Sequence, residues 1–475
     1  MKRIAIIGAG ISGLTTAYKL KKMGLKDIEL KVYEKSSRAG GTILTERYSG
    51  FTIEGGPDCF ITEKPWAMEL AKELGLSSRL IGTIPENKKT YVLSKGRLHA
   101  IPEGLILMIP TKILPLLTSS LFTLRGKLRM GLEIFIPSKK SSNDESLSQF
   151  IIRRFGKEAL EKIAEPLVAG VHAGEPETMS VKSSFPRFIE MEKKYRSLII
   201  AMLKMRREFR KKYGEVQEKS MFMTFIGGLS ELIEKLEITL GKNVIEFNKE
   251  ITGIEKTGGE YLLSFSDGAK QKVNAVILAI PSYISSKLLR GINPQLASCL
   301  ERIPFVSTAT ITLAYRRENF EHPLNGYGFV IPSTENRKIM AITWTSSKFK
   351  YRVPDGYVMI RAFVGGARNS EMVSPGDNEL LGIVRSELKE IMGINSKPDL
   401  TRIYRWHNAM PQYIIGHEEN LKRIEEHLKS LPGIYITGSS YKGIGISDCI
   451  KNAGEVAEHI GRFYSTPQGH PYLNT

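Results

Sequence analysis

Cysteine is scarce in this 475-residue chain: Cys59, Cys299 and Cys449 stand far apart and form no CxxC pair. An odd, sparse set excludes a disulfide framework or a cysteine zinc site and fits a reducing compartment. Long hydrophobic runs are lacking too. The most apolar stretch, GLILMIPTKILPLLTSSLF at 104–122, is interrupted by Pro110, Lys112 and Pro115, whereas a membrane span wants about 20 uninterrupted apolar residues. It reads as a buried helical pair or, alternatively, as a surface-lying membrane contact. Lys2 and Arg3 lead into a short β-branched run that stops at Gly8, so no secretory signal is expected. No Ser-His-Asp, paired-carboxylate or metal-ligand pattern stands out, and the 8 histidines are scattered. No metal and no obvious general base are expected. Acidic residues are the minority charge, 50 against 68 basic ones, which leaves a net +18. That bias suits nucleic acid, an anionic membrane or an acidic small molecule. Nucleic acid is not expected, because no helix-turn-helix, RNP-type or zinc-finger signature is present and the basic residues are dispersed.

What is present begins with KRIAIIG at 2–8, a strand running into a glycine. A helix follows over 13–23 and a second strand over 28–34, one βαβ unit. Residues 66–75 read as a short amphipathic helix ending at a glycine. From about 105 to 215 the pattern is almost entirely helical, closing with the basic KKYRSLIIAMLKMRREFRKKYG. Its apolar stripe (Leu198, Ile199, Met202, Leu203, Met205) lies either over a core or on a docking surface for an anionic membrane or another enzyme. Residues 244–268 read as a hairpin around Gly258 and Gly259. VNAVILAIP is a buried strand, and the β-rich runs of 305–365 predict a mixed sheet in a separate domain. Near the end, IYITGSSYKGIGISDCIKNAG at 434–454 is again strand, glycine turn and helix.

GAGISG (Gly8, Ala9, Gly10, Ile11, Ser12, Gly13) is GxGxxG between a strand and a helix. Such glycines let backbone approach a pyrophosphate at a helix N-terminus. Glu34 closes the second strand, where a carboxylate accepts hydrogen bonds from ribose hydroxyls. A nicotinamide site needs no further glycine loops, yet SRAGGT (Arg38, Gly41, Thr42) and EGGPDCF (Gly55, Gly56, Pro57, Asp58) follow at once. An extended FAD does need them. The late turn then becomes the second half of the same site. Gly438, Gly445, Ile446 and Ser447 lead into a helix starting near Ser447, capped by Ser447 or Asp448, whose positive end faces the flavin's N1–C2 edge. Lys35 and Ile251 complete the residues expected at the cofactor. The fold class is therefore α/β: a FAD-binding Rossmann-like domain (1–85, 220–282 and 432–464), a helical domain (100–219) and a mixed-sheet substrate domain (86–99 and 283–431).

These stretches, with EPLVAGVHAGEPETMS, TFIGGLSELIEKL and RWHNAMPQYIIGH, resemble the flavin-dependent amine oxidase superfamily. Within it they are similar to the protoporphyrinogen/coproporphyrinogen oxidase family of haem biosynthesis, in its soluble Gram-positive form. The resemblance spans nearly the whole chain in the family's order. It implies non-covalent FAD, dioxygen as acceptor and coproporphyrinogen III as substrate, with protoporphyrinogen IX as the alternative and an amine substrate as a more distant one. A flavin- or haem-carrying protein without turnover is the non-enzymatic alternative. The resemblance further implies a cytoplasmic enzyme, at most peripheral at the inner face of the membrane, with ferrochelatase or another haem-pathway enzyme as a partner. Hydride would leave a bridge carbon held about 3–3.5 Å from the flavin N5, and peroxide would be released. Propionates call for cations. Lys64 in FITEKPW falls where the soluble bacterial enzymes carry an active-site basic residue; otherwise it is a solvated loop lysine. His172 stands where an aromatic residue is expected, beside Gly170. Arg405, with His407, Gln412 and Tyr413, is a further candidate for substrate contact. Cys59 and Cys449 read as packing residues.

Overall fold

In a computed structural model, residues 1–106, 109–110, 112–141, 143–213 and 220–465 are described. Strand β1 (Lys2–Ile7) is β-branched and buries Ile4, Ala5 and Ile6 almost completely. Helix α1 (Ile11–Lys22) returns over the sheet with Leu14 and Ala17 wholly buried. Strand β2 (Ile28–Tyr33) then pairs parallel with β1, Lys2 opposite Ile28 and Ile7 opposite Tyr33. Three short strands from far along the chain complete a five-stranded parallel sheet in the order 245–246, β2, β1, 275–278, 434–436. Every carboxyl end therefore lies on one edge, where ligands bind in open α/β sheets. Residues 8, 34, 279 and 437 all emerge there.

A second sheet of seven strands runs 400–411, 305–316, 357–365, 341–343, 328–330, 90–94, 97–100. It is antiparallel except for the 328–330/90–94 pair. Its mixed character agrees with the β-rich pattern of 305–365. The hairpin expected around Gly258 and Gly259 is present as Ile251–Thr257 and Glu260–Phe265, with Lys270–Val273 as a third strand.

Two readings of the helical region need correction. The apolar stretch 104–122 is no helical pair: Leu105–Ile106 and Ile109–Pro110 form a two-stranded ribbon, and only Ile113–Thr118 is helical. Pro110 ends the second strand of the ribbon, and Pro115 sits in the first turn of the helix, where a missing N–H is tolerated. Leu116, Leu121 and Phe122 are buried, but Leu114 and Leu117 stay exposed. The basic stretch is two helices, Pro186–Tyr195 and Leu198–Tyr213, broken at Arg196 with φ +65. A buried ion pair makes that break. The Glu133 carboxylate, bonded to Arg154, accepts from the amides of Leu198 (2.9 Å) and Ile199 (3.4 Å) and from the Ser197 hydroxyl. A buried carboxylate at a helix N-terminus satisfies its orphan donors. The apolar stripe lies partly over a core: Leu198 is buried, Ile199 and Met202 pack against the helical cluster, Met205 is half-buried and Leu203 is exposed. Among the described residues no helix is long and apolar enough to cross a membrane, and no His/Cys/Asp/Glu group has metal-binding geometry.

Candidate active site

The glycine loop after β1 is shaped by backbone contacts. Gly8 takes φ +100, outside what a side chain tolerates, and its N–H bonds the Tyr33 carbonyl at 2.8 Å. A Cβ on Gly13 would strike the Gly8 carbonyl, so this glycine lets α1 lie against β1. Gly10 differs. Among the described residues, nothing beyond its own neighbours in the chain lies within 4 Å of where its Cβ would be, and the space it leaves fits the approach of a pyrophosphate to bare backbone. Glu34 is buried and held by the amides of Ala9 (2.8 Å) and Ser36 (2.9 Å), one on each carboxylate oxygen. Each oxygen keeps a further acceptor site, as ribose hydroxyls require. Lys35 is exposed. Lys249 N–H bonds the Glu34 carbonyl at 2.9 Å, which brings Ile251 into the cluster that contains Tyr33.

The other two glycine loops stack on the first. The Gly40 N–H bonds the Ala9 carbonyl at 2.8 Å, and Gly10 and Gly40 form a β-bridge. Gly41 lies beside Gly10, and a Cβ on Gly56 would strike the Thr42 carbonyl. Arg38 behaves otherwise than expected: its guanidinium bonds the carbonyls of Ala39, Gly41 and Ile43 and clamps its own loop. Asp58, followed from the loop by way of Pro57, is likewise occupied. It pairs with Lys348 at 2.8 Å. Burial would raise its carboxyl, yet Lys348 and Arg361 hold it well below the usual range.

The seven-stranded sheet supplies what motif reading missed. The Gly55 carbonyl accepts from Thr310 Oγ1 (2.9 Å), Trp406 Nε1 (2.8 Å) and Arg361 (3.3 Å), and Arg361 also bonds the Gly56 carbonyl. Arg352, buried below, donates to the Phe225 and Ile226 carbonyls and to Thr224 Oγ1. Arg361 left a trace in the sequence, a charge in the middle of the apolar run YVMIRAFVG. Lys348 left none. The buried Glu54 beside this cluster accepts from Thr45 Oγ1 (2.7 Å) and the Leu229 amide (2.8 Å). Burial pushes its carboxyl up to about 7.

The late turn reaches the same edge. Strand 434–436 joins 275–278, Thr437 N–H bonds the Leu278 carbonyl at 3.0 Å, and Gly438 (φ +120) faces Ser12. Helix Ile446–Ser465 lies along α1, with Thr16 Oγ1 reaching the Ala453 carbonyl at 3.4 Å. The expected capping roles are not realised. Cys449 N–H bonds the Gly445 carbonyl at 2.9 Å, which puts Gly445 at the cap. Ser447 Oγ instead donates to the Lys64 carbonyl (3.1 Å), and Asp448 pairs with Lys64 Nζ (2.6 Å).

His172 ends helix Glu165–His172, its ring edge-on to Phe185 at 5.6 Å. Burial, then the nearby Lys64 charge, push its imidazole down to about 4, so it is neutral at pH 7. Gln412 Nε2 holds its carbonyl at 3.0 Å. Two substrate candidates are corrected. Gly170 lies against Val330, where a Cβ would sit 3.3 Å from it, and so serves helix-to-sheet packing. Arg405 is on the opposite face of its strand from Trp406, as alternation requires. It bonds the carbonyls of Val373 (3.0 Å) and Pro375 (2.6 Å) and the Asp377 carboxylate. His407 is exposed, and the Tyr413 hydroxyl donates to the Ser439 carbonyl at 2.6 Å.

Comparison with known proteins agrees with this architecture. The family described as flavin containing amine oxidoreductase matches residues 11–461. The chain is 36% identical to the coproporphyrinogen III oxidase of Bacillus subtilis over 94% of its own length and 96% of that protein's. It is 34% identical to the coproporphyrinogen III oxidase of Staphylococcus aureus, over 97% and 99%. A crystal structure from Exiguobacterium sp. 255-15, provisionally described as a protoporphyrinogen oxidase, superposes with a TM-score of 0.85 at 30% identity, covering 97% of this chain and 99% of that one.

Proposed function

The chain belongs to the flavin containing amine oxidoreductase family, and from that premise we propose that it oxidises coproporphyrinogen III to coproporphyrin III with dioxygen as acceptor. It is an oxidoreductase of the porphyrinogen oxidase kind. The observation that carries the reading is convergence. Segments 8–13, 38–42, 54–58 and 438–447 meet at one sheet edge, with Lys64 and His172 beside them.

We assign FAD to this cleft. Bound there, FAD would supply a hydride acceptor for a substrate carbon and a route for the electrons to dioxygen, with peroxide as the by-product. The amides of the 8–13 loop and the N-terminus of α1 suit the pyrophosphate, Glu34 the ribose and Ile251 the adenosine end. The backbone of Gly445, Ile446 and Ser447 offers donors and a positive helix end to the flavin ring. Non-covalent binding is supported by the thiols. Burial raises Cys449 to about 12 and Cys59 higher still, and a protonated thiol is a poor nucleophile. Lys64 is the cation placed to meet a propionate, and neutral His172 adds no competing charge. Removing bridge hydrogens needs no protein base here, since pyrrole N–H protons can leave to water.

A peripheral membrane contact belongs to the same reading. Leu114, Leu117, Leu124, Leu128 and Phe135 are exposed in the helical region, and Arg125 and Lys140 are exposed with them. Exposed apolar side chains and cations in one region of the chain suit an anionic bilayer surface. Co-flotation with anionic but not neutral vesicles tests it; flotation with neither removes it.

The deciding experiment offers the purified holoenzyme both porphyrinogens under air and follows porphyrin fluorescence with peroxide. The expected result is a higher kcat/KM for coproporphyrinogen III, the gap narrowing as salt screens the extra carboxylates. A salt-indifferent preference for protoporphyrinogen IX moves the assignment to that substrate. Turnover of amines alone would overturn it.

A further inference from the structure

We infer that Asp448 is a positioning residue for this reaction: its carboxylate decides where the Lys64 ammonium stands at the cleft. The inference rests on the porphyrinogen reading above. Three observations carry it. Lys64 Nζ and Asp448 Oδ2 are 2.6 Å apart, and Ser447 Oγ donates to the Lys64 backbone carbonyl at 3.1 Å. Two adjacent residues of the last helix therefore hold both the backbone and the tip of one lysine. Next, the glycines of the turn make room for this carboxylate. A Cβ on Gly443 would strike the Asp448 side chain, and one on Gly445 would stand 3.2 Å from Oδ2. Finally, the pair is asymmetric in exposure, 46% for the lysine side chain and 15% for the aspartate. The carboxylate is sheltered while the ammonium is open, and an ammonium with three donors spends one on Asp448. Among the described residues its ammonium meets no second carboxylate, which leaves its remaining donors for an incoming one. A free lysine loses much of its rotamer entropy when it is pinned by a ligand; Asp448 has already taken that loss in the resting protein, which is preorganisation.

A purely structural role, an acid at a helix N-terminus, would change stability and leave substrate affinity alone. The test is a double-mutant cycle on the holoenzyme with Lys64→Met, Asp448→Asn and the pair together. It measures the Kd for coproporphyrin III by fluorescence, and KM and kcat for the porphyrinogen. Each single change is expected to weaken binding by about 3- to 10-fold, with KM moving more than kcat and flavin content unchanged. The double variant is expected to match Lys64→Met within about 2-fold, because coupled residues do not add. Wild-type affinity in Asp448→Asn, or singles that multiply in the double variant, would overturn the inference and leave the proposed function intact. Wild-type protein that neither binds nor oxidises a porphyrin would overturn both.

Discussion

The cleft has two kinds of wall. On the parallel-sheet side it is built of backbone: Gly8, Gly10 and Gly13, the bridge between Gly10 and Gly40, the amides that fix Glu34. On the seven-stranded side it is built of side chains. Arg361, Lys348, Thr310 and Trp406 reach across to hold residues 55–58 from below. The difference concerns what each can tolerate. A backbone wall depends on the absence of atoms and fails by collision. A wall of desolvated charges depends on partners and fails when one is removed.

Collision should give the largest effect. Gly13→Val places a side chain on the Gly8 carbonyl, and Gly56→Val one on the Thr42 carbonyl. Each is expected to cost more than about 4 kcal/mol, the range of severe overpacking, with flavin and soluble yield both lost. Gly10→Val is the informative contrast, since among the described residues nothing beyond its chain neighbours crowds the Cβ position. It should fold with near wild-type apoprotein Tm and purify colourless. Equal loss of fold at positions 10 and 13 would erase the distinction between a glycine that packs and a glycine that leaves room for a ligand.

Next in size is the charged wall. Lys348→Met leaves Asp58 mostly buried without its nearest cation, a loss of about 3–5 kcal/mol for a broken buried pair. Urea denaturation of the holoenzyme measures it. Lys348→Met with Asp58→Asn should recover much of that loss; no recovery would mean the lysine acts through packing alone.

The pH dependence sharpens the comparison, because two groups beside the cleft, the half-buried His172 and the buried Glu54, titrate with opposite sign. His172 is lowered to about 4, so the unfolded chain takes up its proton first and stability falls as pH drops from 6.5 towards 4. Glu54 is raised to about 7, so the folded protein keeps its proton longer and stability falls as pH rises from 4.5 to 7. Between pH 4.5 and 6.5 the two slopes oppose. Glu54→Gln should expose the histidine slope, seen as a Tm that drops more steeply on acidification than in wild type. An unchanged profile would mean that Glu54 titrates normally.

The smallest effect is expected at Arg405. Its guanidinium is spent on Val373, Pro375 and Asp377, so Arg405→Ala should cost about 1 kcal/mol and leave KM unchanged. A raised KM would return it to the substrate side.

The backbone wall is legible in the sequence because it is local. A glycine pattern between strand and helix, with an acid at the next strand end, reports its own geometry through the steric freedom of Gly8 and the packing of Gly13. The same holds for the late turn at 438–447. The capping roles expected of Ser447 and Asp448 fail because either side chain fits a cap by type; only the position of Lys64, 384 residues earlier in sequence, directs Asp448 to it. Arg405 was misplaced by one strand face, which the parity of its neighbours settles only once Trp406 is seen to meet Gly55.

By itself, then, the sequence determined the parallel βαβ frame, its glycine loops and the class of cofactor that bare backbone beside a helix end can hold. Tertiary structure alone decided which cations face the cleft. Lys348, Arg352 and Arg361 lie about 290–310 residues from the residues they balance, and Lys64 finds Asp448 across the whole chain. A charge carries no local mark of its partner: pairing is set by distance and desolvation, and both exist only after the sheets have met.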